Sequence, residues 1–317
     1  MSIRFLGTGC YLPPKVVTND DLAQLVDTSD EWITQRVGVK ERRVSVNETT
    51  ADMATKAALA ALEKSGLEAC DIDLIIVGTI TSDTLCPSVA ATVQRNIGSQ
   101  GIAFDISSAC SGFMFSLETA VAYIERGVAK NALVIGAERL SKILDYTDRS
   151  TCVIFGDGAG AAVVTKGENY LSSTMYTSGN DEVLYIPDNV GLSPFYEGEE
   201  QKRCVHMDGQ ETFKFAVNRI TQDIKTAAEK ANIALGDIDH VVLHQANIRI
   251  LEFASKRLKI PFDRFFINID KCANTSAASV PIALAGLDAS GKLKRGDIVA
   301  LSAFGGGLSS AACIIKW

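Results

Sequence analysis

The chain has only three histidines among its 317 residues, at 206, 240 and 244. Its eight cysteines, at 10, 70, 86, 110, 152, 204, 272 and 313, form no Cys-x-x-Cys pair and offer no histidine spacing suited to zinc. These gaps indicate neither a disulfide framework nor a metal site, and most of the thiols are expected to be reduced, buried fillers. No apolar run approaches the roughly 20 residues that span a bilayer, so no membrane insertion is expected. The segment Met1–Gly9 reads into a strand rather than a cleavable signal, and the expected location is the cytoplasm. Positive charge is not in excess either. A net charge of −7 argues against nucleic acid as a general partner, while a local basic patch remains possible.

What is present is α/β punctuation. With 47% hydrophobic residues the chain can bury a large core. Strand-like runs at Leu74–Thr79, Ile102–Ile106, Ala132–Gly136 and Ala159–Thr165 alternate with helix-like runs such as Ala51–Lys64 and Ser111–Arg126. After a polar stretch the order recurs: helix Glu211–Ala231, strands His240–His244 and Phe265–Ile269, helix Ser276–Leu287, strands Ile298–Ala303 and Ala311–Lys316. The chain reads as two similar halves, 1–170 and 171–317, packed into one body because no strong linker parts them. In that alignment His244 ends the strand matching Leu74–Thr79, and Asn274 follows the strand matching Ile102–Ile106 at nearly the offset of Cys110. Equivalent turns in two halves would face a shared cleft. Gly179–Arg203, rich in Asp, Glu, Asn, Gly and Pro, reads as a long surface excursion, either a lid or a plain insertion.

Cys110 sits where the strand-like Ile102–Ile106 breaks through Ser107-Ser108-Ala109 into a helix-like run from Gly112. A strand that delivers a thiol to the first turn of a helix aims it at unpaired amides and the positive end of the helix dipole, which favours thiolate and leaves donors for an oxyanion. The alternative is one more buried small residue. His244, ending an apolar strand beside Gln245 and Asn247, is either functional or a satisfied core histidine, whereas His206 and His240 border polar segments and read as solvent-facing. Asn274 precedes a small-residue helix and by itself would serve as a cap or turn residue. The glycine runs Phe155-Gly-Asp-Gly-Ala-Gly160 and Phe304-Gly-Gly-Gly307 have no following Lys-Ser/Thr and lack dinucleotide spacing, so they read as places of close backbone approach, with Gly306 either an oxyanion donor or a plain turn.

Five segments in this order, Ser107-Ser-Ala-Cys-Ser-Gly112, Phe155-Gly-Asp-Gly-Ala-Gly160, His244-Gln-Ala-Asn-Ile-Arg249, Asn274-Thr-Ser-Ala-Ala-Ser279 and Ala303-Phe-Gly-Gly-Gly307, closely resemble β-ketoacyl-acyl-carrier-protein synthase III. Asp27–Ile33 with Arg36 and Gly38, and Thr147-Asp-Arg149, are similar to the same family. The resemblance implies a thiolase-type duplicated α/β fold, a homodimer, and initiation of fatty acid synthesis with no cofactor, acyl-coenzyme A and malonyl-acyl carrier protein being substrates. It implies a Cys110 acyl-enzyme whose oxyanion is held by the amides of Cys110 and Gly306, and decarboxylation donors at His244 and Asn274. Because loss of carbon dioxide generates the carbanion equivalent directly, two neutral donors suffice where proton abstraction would demand a tuned carboxylate.

Trp32 and Arg36, four apart in an expected helix, suit an adenine nucleotide, and the resemblance adds Arg149. Gly209, Phe213, Ala246 and Asn247 match family positions along the pantetheine channel. A basic group, Lys214, Arg249, Lys256 and Arg257, would recruit the acidic acyl carrier protein, with Gln245, Ala246, Asn247 and Ile248 in the same contact. Read without the resemblance, Trp32 is core and the charges are solvated faces. Two departures stand out. Cys86 replaces the Phe common in acetyl-preferring members, at a position the fold would set against the acyl pocket across the dimer, where Leu140 and Ile143 also line. Longer or branched primers are expected to be tolerated. Ala273 stands where the family often has Gly before the Asn. The rival readings are a relative using the same Cys-His-Asn set in polyketide or quinolone formation, a thiol hydrolase, and a non-enzymatic carrier-protein scaffold.

Overall fold

A computed structural model describes residues 2–188, 195 and 202–317. Two sheets organise them. The first has five strands in the order Ser2–Tyr11, Gly158–Gly167, Asn131–Glu138, Leu74–Gly78, Ile102–Ile106. The second has the order Tyr170–Asn180, Gly307–Lys316, Ile298–Gly305, His240–Leu243. Corresponding neighbours pair with the same sense: the first two pairs in each sheet are antiparallel and the next pair is parallel. The recurrence in the sequence is therefore a recurrence of topology.

Alternation along the strands assigns the layers. Leu74 and Ile76 face one way and pack with helices Gly112–Glu125 and Ser279–Ala289, whose other sides meet Val242, Val299 and Leu301 of the second sheet. Ile75 and Val77 face the other way, onto helices Thr50–Ser65 and Val89–Ile97. Val241, Leu243 and Ala300 of the second sheet cover helices Gly209–Ala231 and Ile248–Leu258. Five layers result, α/β/α/β/α. The central helices read as almost wholly apolar because both of their faces are buried.

The expected strand Phe265–Ile269 is a correction. Only Phe265 bridges, in parallel, to Val241, with the Phe266 amide donating to the Val241 carbonyl at 3.1 Å, and Ile269 already opens a short helix, Ile269–Cys272. The Gln245 side chain causes the departure. Its Oε1 accepts from the amides of Asn268 and Ile269, each at 2.9 Å, and its Nε2 donates to the Phe266 carbonyl at 2.8 Å, so it takes the backbone groups that a ladder would need. The bridge still occupies the place that Ile102–Ile106 holds in the first sheet.

Close backbone approach accounts for the glycines. A β-carbon on Gly160 would lie 2.5 Å from the Ile282 amide, and one on Gly136 would lie 2.1 Å from the Ala277 carbonyl oxygen. Neither neighbour is a flexible side-chain end. Gly136→Ala is expected to destabilise the fold by about 3 kcal/mol or more, the upper side of overpacking costs, read as a lowered urea midpoint with unchanged m.

Candidate active site

The Ile102–Ile106 strand lies at the edge of its sheet, and from its end the chain turns through Ser108 and Ala109 into a single 3-10 turn, Ala109–Ser111, that runs on as helix Gly112–Glu125. Ala109 takes φ +43°, a left-handed conformation that swings the next residue toward the second sheet. Cys110 is thus presented at a helix start, 8% exposed. Gly305 closes on it from the other half: a β-carbon there would come within 2.7 Å of the Cys110 amide nitrogen, so only a bare backbone fits beside the thiol.

His244 and Asn274 arrive from the second half. His244 follows the His240–Leu243 strand, its amide donating to the Ser302 carbonyl at 2.8 Å. Its ring lies edge-on to Phe304 at 5.0 Å, and neither ring nitrogen has a hydrogen-bond partner among the described residues. Asn274 bridges Phe155 through backbone bonds to Ile154 and Gly156, each at 3.0 Å, and its Oδ1 accepts the Ser276 amide at 2.8 Å. That leaves its Nδ2 as the free end. Ala273, preceding it, takes φ +56° and ψ −160°, a region that suits Gly, so the substitution noted in the sequence holds strain at this turn.

One cavity of 640 Å³ contains Cys110, His244, Asn274 and Gly306, together with Ala246, Leu140 and Ile143. The flanks of the 179–203 excursion also line it, through Leu184–Asp188 and Arg203; residues 189–194 and 196–201, where a lid would have its centre, lie outside the described residues. Cys86 does not line the cavity of its own chain. It is exposed beside Leu85, which is 86% exposed.

The electrostatics differ from the expectation in one respect. Burial pushes the Cys110 thiol up to about 12, with a hydrogen bond from Ser276 acting the other way and the Glu138 carboxylate adding to the rise. The helix start therefore does not make a resting thiolate; desolvation of the charge outweighs it. Burial also holds His244 down to about 3, so its imidazole is neutral at any pH in which the fold works.

The residues expected to hold a nucleotide form a chain of contacts. The Arg149 guanidinium lies 5.4 Å from the centre of the Trp32 ring and donates to the Asp27 carbonyl at 2.7 Å. Arg36 ends the Asp30–Arg36 helix, and the Asn247 side chain donates to its carbonyl at 2.9 Å, tying that helix to the start of Ile248–Leu258. Gly209 opens the Gly209–Ala231 helix and Phe213 faces Arg249, whose guanidinium is 5.8 Å from the ring centre.

The basic residues Lys214, Arg249, Lys256 and Arg257 are all exposed, on two adjoining helices joined by an Arg257–Asn218 hydrogen bond of 2.9 Å. Lys214 is partly spent on Glu211 at 2.6 Å. Gln245, expected in this surface, is a correction: it is fully buried, its side chain braces residues 266–269, and it has no face to offer a partner. Of the other histidines, His240 is bonded to Asp297 at 3.2 Å and His206 stacks on Tyr185 at 4.8 Å. All eight cysteines are free, five of them buried.

Sequence reasoning missed Glu138 and Ser276. Glu138 is the last residue of a strand buried along its whole length and is itself 0% exposed, with no cation paired to it among the described residues. An acid closing a run as apolar as Ala132–Ala137 was the available signal, since such residues are almost never fully buried without a reason.

Sequence comparison then decides the family. The profile of 3-oxoacyl-(acyl-carrier-protein) synthase III matches residues 104–179, and that of its C-terminal region matches 228–317. The chain belongs to this family. It is an acyl-transferring condensing enzyme with the thiolase-type layered α/β fold. A β-ketoacyl-(acyl-carrier-protein) synthase III of Clostridium acetobutylicum is 45% identical, covering 100% of this chain and 99% of its own length. The crystal structure of the synthase III of Aquifex aeolicus superposes with a TM-score of 0.93 at 44% identity, over 99% of this chain and 100% of that one. The priming β-ketosynthase of the R1128 polyketide pathway reaches the same TM-score at 32% identity, over 99% of this chain and 96% of that one.

Proposed function

We propose that the chain joins an acyl-coenzyme A primer to malonyl-acyl carrier protein by decarboxylating Claisen condensation, giving a 3-oxoacyl-acyl carrier protein and initiating fatty acid synthesis. The observation that carries the reading is the convergence of Cys110, a neutral His244 with both nitrogens free, and the free amide end of Asn274 on one cavity. Cys110 takes the acyl group, with the amides of Cys110 and Gly306 facing the oxyanion. Exchange of one thiol for another consumes no net proton, so a thiol resting in its protonated form is no obstacle in principle. Malonyl thioester then places its carbonyl oxygen against His244 and Asn274, and the enolate left by carbon dioxide is held by two uncharged donors. A neutral imidazole suits that task, since it donates a hydrogen bond without asking for a proton back.

Acyl-coenzyme A would enter past the Trp32–Arg149 pair and Arg36, with its pantetheine along Gly209, Phe213, Ala246 and Asn247. Acyl carrier protein would dock on Arg249, Lys256 and Arg257, with Lys214, Ala246, Asn247 and Ile248 at the edge, and this encounter should weaken with salt. The chain is read as two halves, 1–170 and 171–317, and as a homodimer working in the cytoplasm. Support for the dimer comes from the Ile102–Ile106 strand, an unpaired sheet edge whose residues are all at least partly exposed, Ile102 by 48%. A partner there would bring the exposed Leu85–Cys86 segment toward a neighbouring cavity.

The test is sequential. Protein incubated with acetyl-coenzyme A should carry one acetyl group, found on the Cys110 peptide by mass spectrometry, and malonyl-acyl carrier protein added next should release carbon dioxide. Acylation elsewhere would refute the site, and failure to release carbon dioxide with that acceptor would favour the polyketide-type reading. With a cysteine in place of the bulkier phenylalanine, butyryl- and isobutyryl-coenzyme A should also serve; use of acetyl alone would sink that part of the reading.

A further inference from the structure

Glu138 has no place in the reaction as described, yet it stands directly behind the nucleophile. Its Oε1 accepts the Ser276 hydroxyl at 3.2 Å, its Oε2 accepts the hydroxyls of Thr79, at 3.2 Å, and Thr81, and the Ile80 amide reaches both oxygens. Ser276 is buried as well. It shares the cavity wall with Cys110, where its hydroxyl can donate to the sulfur once that is a thiolate, and its amide is the one held by Asn274. Thiol, serine hydroxyl and carboxylate therefore form one line that leads away from the cavity, and Ser276 alone of the last two lines the cavity wall.

We propose that Glu138 is a positioning residue that accepts the Cys110 proton through Ser276 during acylation. This rests on the reading of Cys110 as the acylated thiol. As Cys110 Sγ–H passes its proton to Ser276 Oγ, the serine's own proton moves to Glu138 Oε1. The sulfur electron pair forms the bond to the thioester carbonyl carbon. When the tetrahedral intermediate collapses, the bond to the coenzyme A sulfur breaks, and the relay runs backward to return the proton to the departing thiolate. The site holds one negative charge throughout, first on the carboxylate, then on the oxyanion of the tetrahedral intermediate and the departing coenzyme A sulfur, and at the end on the carboxylate again. In a site with no paired cation, keeping a single charge avoids the cost of two. Burial lifts Glu138 to about 7, so it is a carboxylate able to take a proton near neutrality. The imidazole of His244, held near 3, is a far weaker acceptor. The charged groups about Glu138 are Cys110, the adjacent Arg139, and Lys142, whose ammonium is bound to the carbonyls of Thr81 and Ser82 at 2.7 Å.

The sign of one substitution separates this role from a passive one. Glu138→Gln retains the shape and one accepting oxygen for the hydroxyls around it but accepts no proton. A relay predicts that single-turnover acylation by acetyl-coenzyme A falls at least tenfold and loses its rise with pH through about 7. Removing a mere bystander charge would relieve the repulsion on sulfur and speed acylation. Ser276→Ala, which breaks the line and leaves the carboxylate, should show the same loss. Carbon dioxide release from malonyl-acyl carrier protein by enzyme already acylated should stay within about twofold in both variants, because that step does not use the thiol proton. Unchanged or faster acylation in Glu138→Gln, or equal loss in both steps with a lowered melting temperature, would overturn the proposal. If wild-type protein is not acylated on Cys110, the reading beneath it fails instead, and the mass-spectrometric control tells the two apart.

Discussion

Cys110→Ser should lose condensation by at least about 10⁴-fold, the scale on which removing a nucleophile acts when the surrounding site is intact. The loss is expected to exceed what the small change in size would suggest. A serine hydroxyl is a far weaker acid than a thiol, and the burial that already drives the Cys110 thiol up to about 12 would penalise an alkoxide still more. His244 cannot rescue it, because an imidazole held near 3 is not a base for an alcohol. The hydroxyl would meanwhile occupy the same buried place beside Ser276, so the fold should be unaffected and the melting temperature should stay near that of the parent. Acyl transfer measured on the intact protein, with the label located by peptide mass spectrometry, checks the result. Residual acylation at the exposed Cys10, Cys70 or Cys86 would be chemical background, and if it persisted with turnover it would remove Cys110 from its role.

The second large effect falls on the other half-reaction. His244→Ala and Asn274→Asp should each slow decarboxylation by about 10²–10³, the usual cost of one oxyanion donor, while acylation of Cys110 falls by much less. Asn274→Asp keeps the acceptor for the Ser276 amide, while it replaces the donor facing the cavity with an oxygen whose charge also opposes the enolate. A single measurement of carbon dioxide release from pre-acylated enzyme reads both. Because His244 is already neutral down to about 3, its titration should put no limb on the decarboxylation rate between pH 5 and 8; an ordinary histidine near 6.5 would put one there. Equal losses in both half-reactions would argue that these residues only hold the site together.

Much of this was legible in the chain itself. The strands Leu74–Gly78, Asn131–Glu138 and Gly158–Gly167 are continuous apolar runs because both faces of their sheet are covered, and the helices beside them carry the caps and periodicity that mark them. The glycines of Phe155–Gly160 announced close packing, which the Gly160–Ile282 approach bears out. Phe265–Ile269 was misread because its composition is that of a strand, whereas the outcome was set by the distant Gln245 side chain taking its amides. Gln245 was expected on the surface because a polar residue beside the basic group looks exposed until its partners are known.

The amino-acid sequence by itself determined the segments, the repeated order that brings Cys110, His244 and Asn274 to related turns, and the chemical kinds of those three side chains. These depend on local pattern and on residue identity, both of which are written along the chain. Tertiary structure alone decided their charge states and their company. Desolvation is a sum over every neighbour in space, and it turned the expected thiolate into a buried thiol, kept His244 neutral, and placed Glu138, 28 positions along the chain from Cys110 and one hydroxyl away in space, behind it.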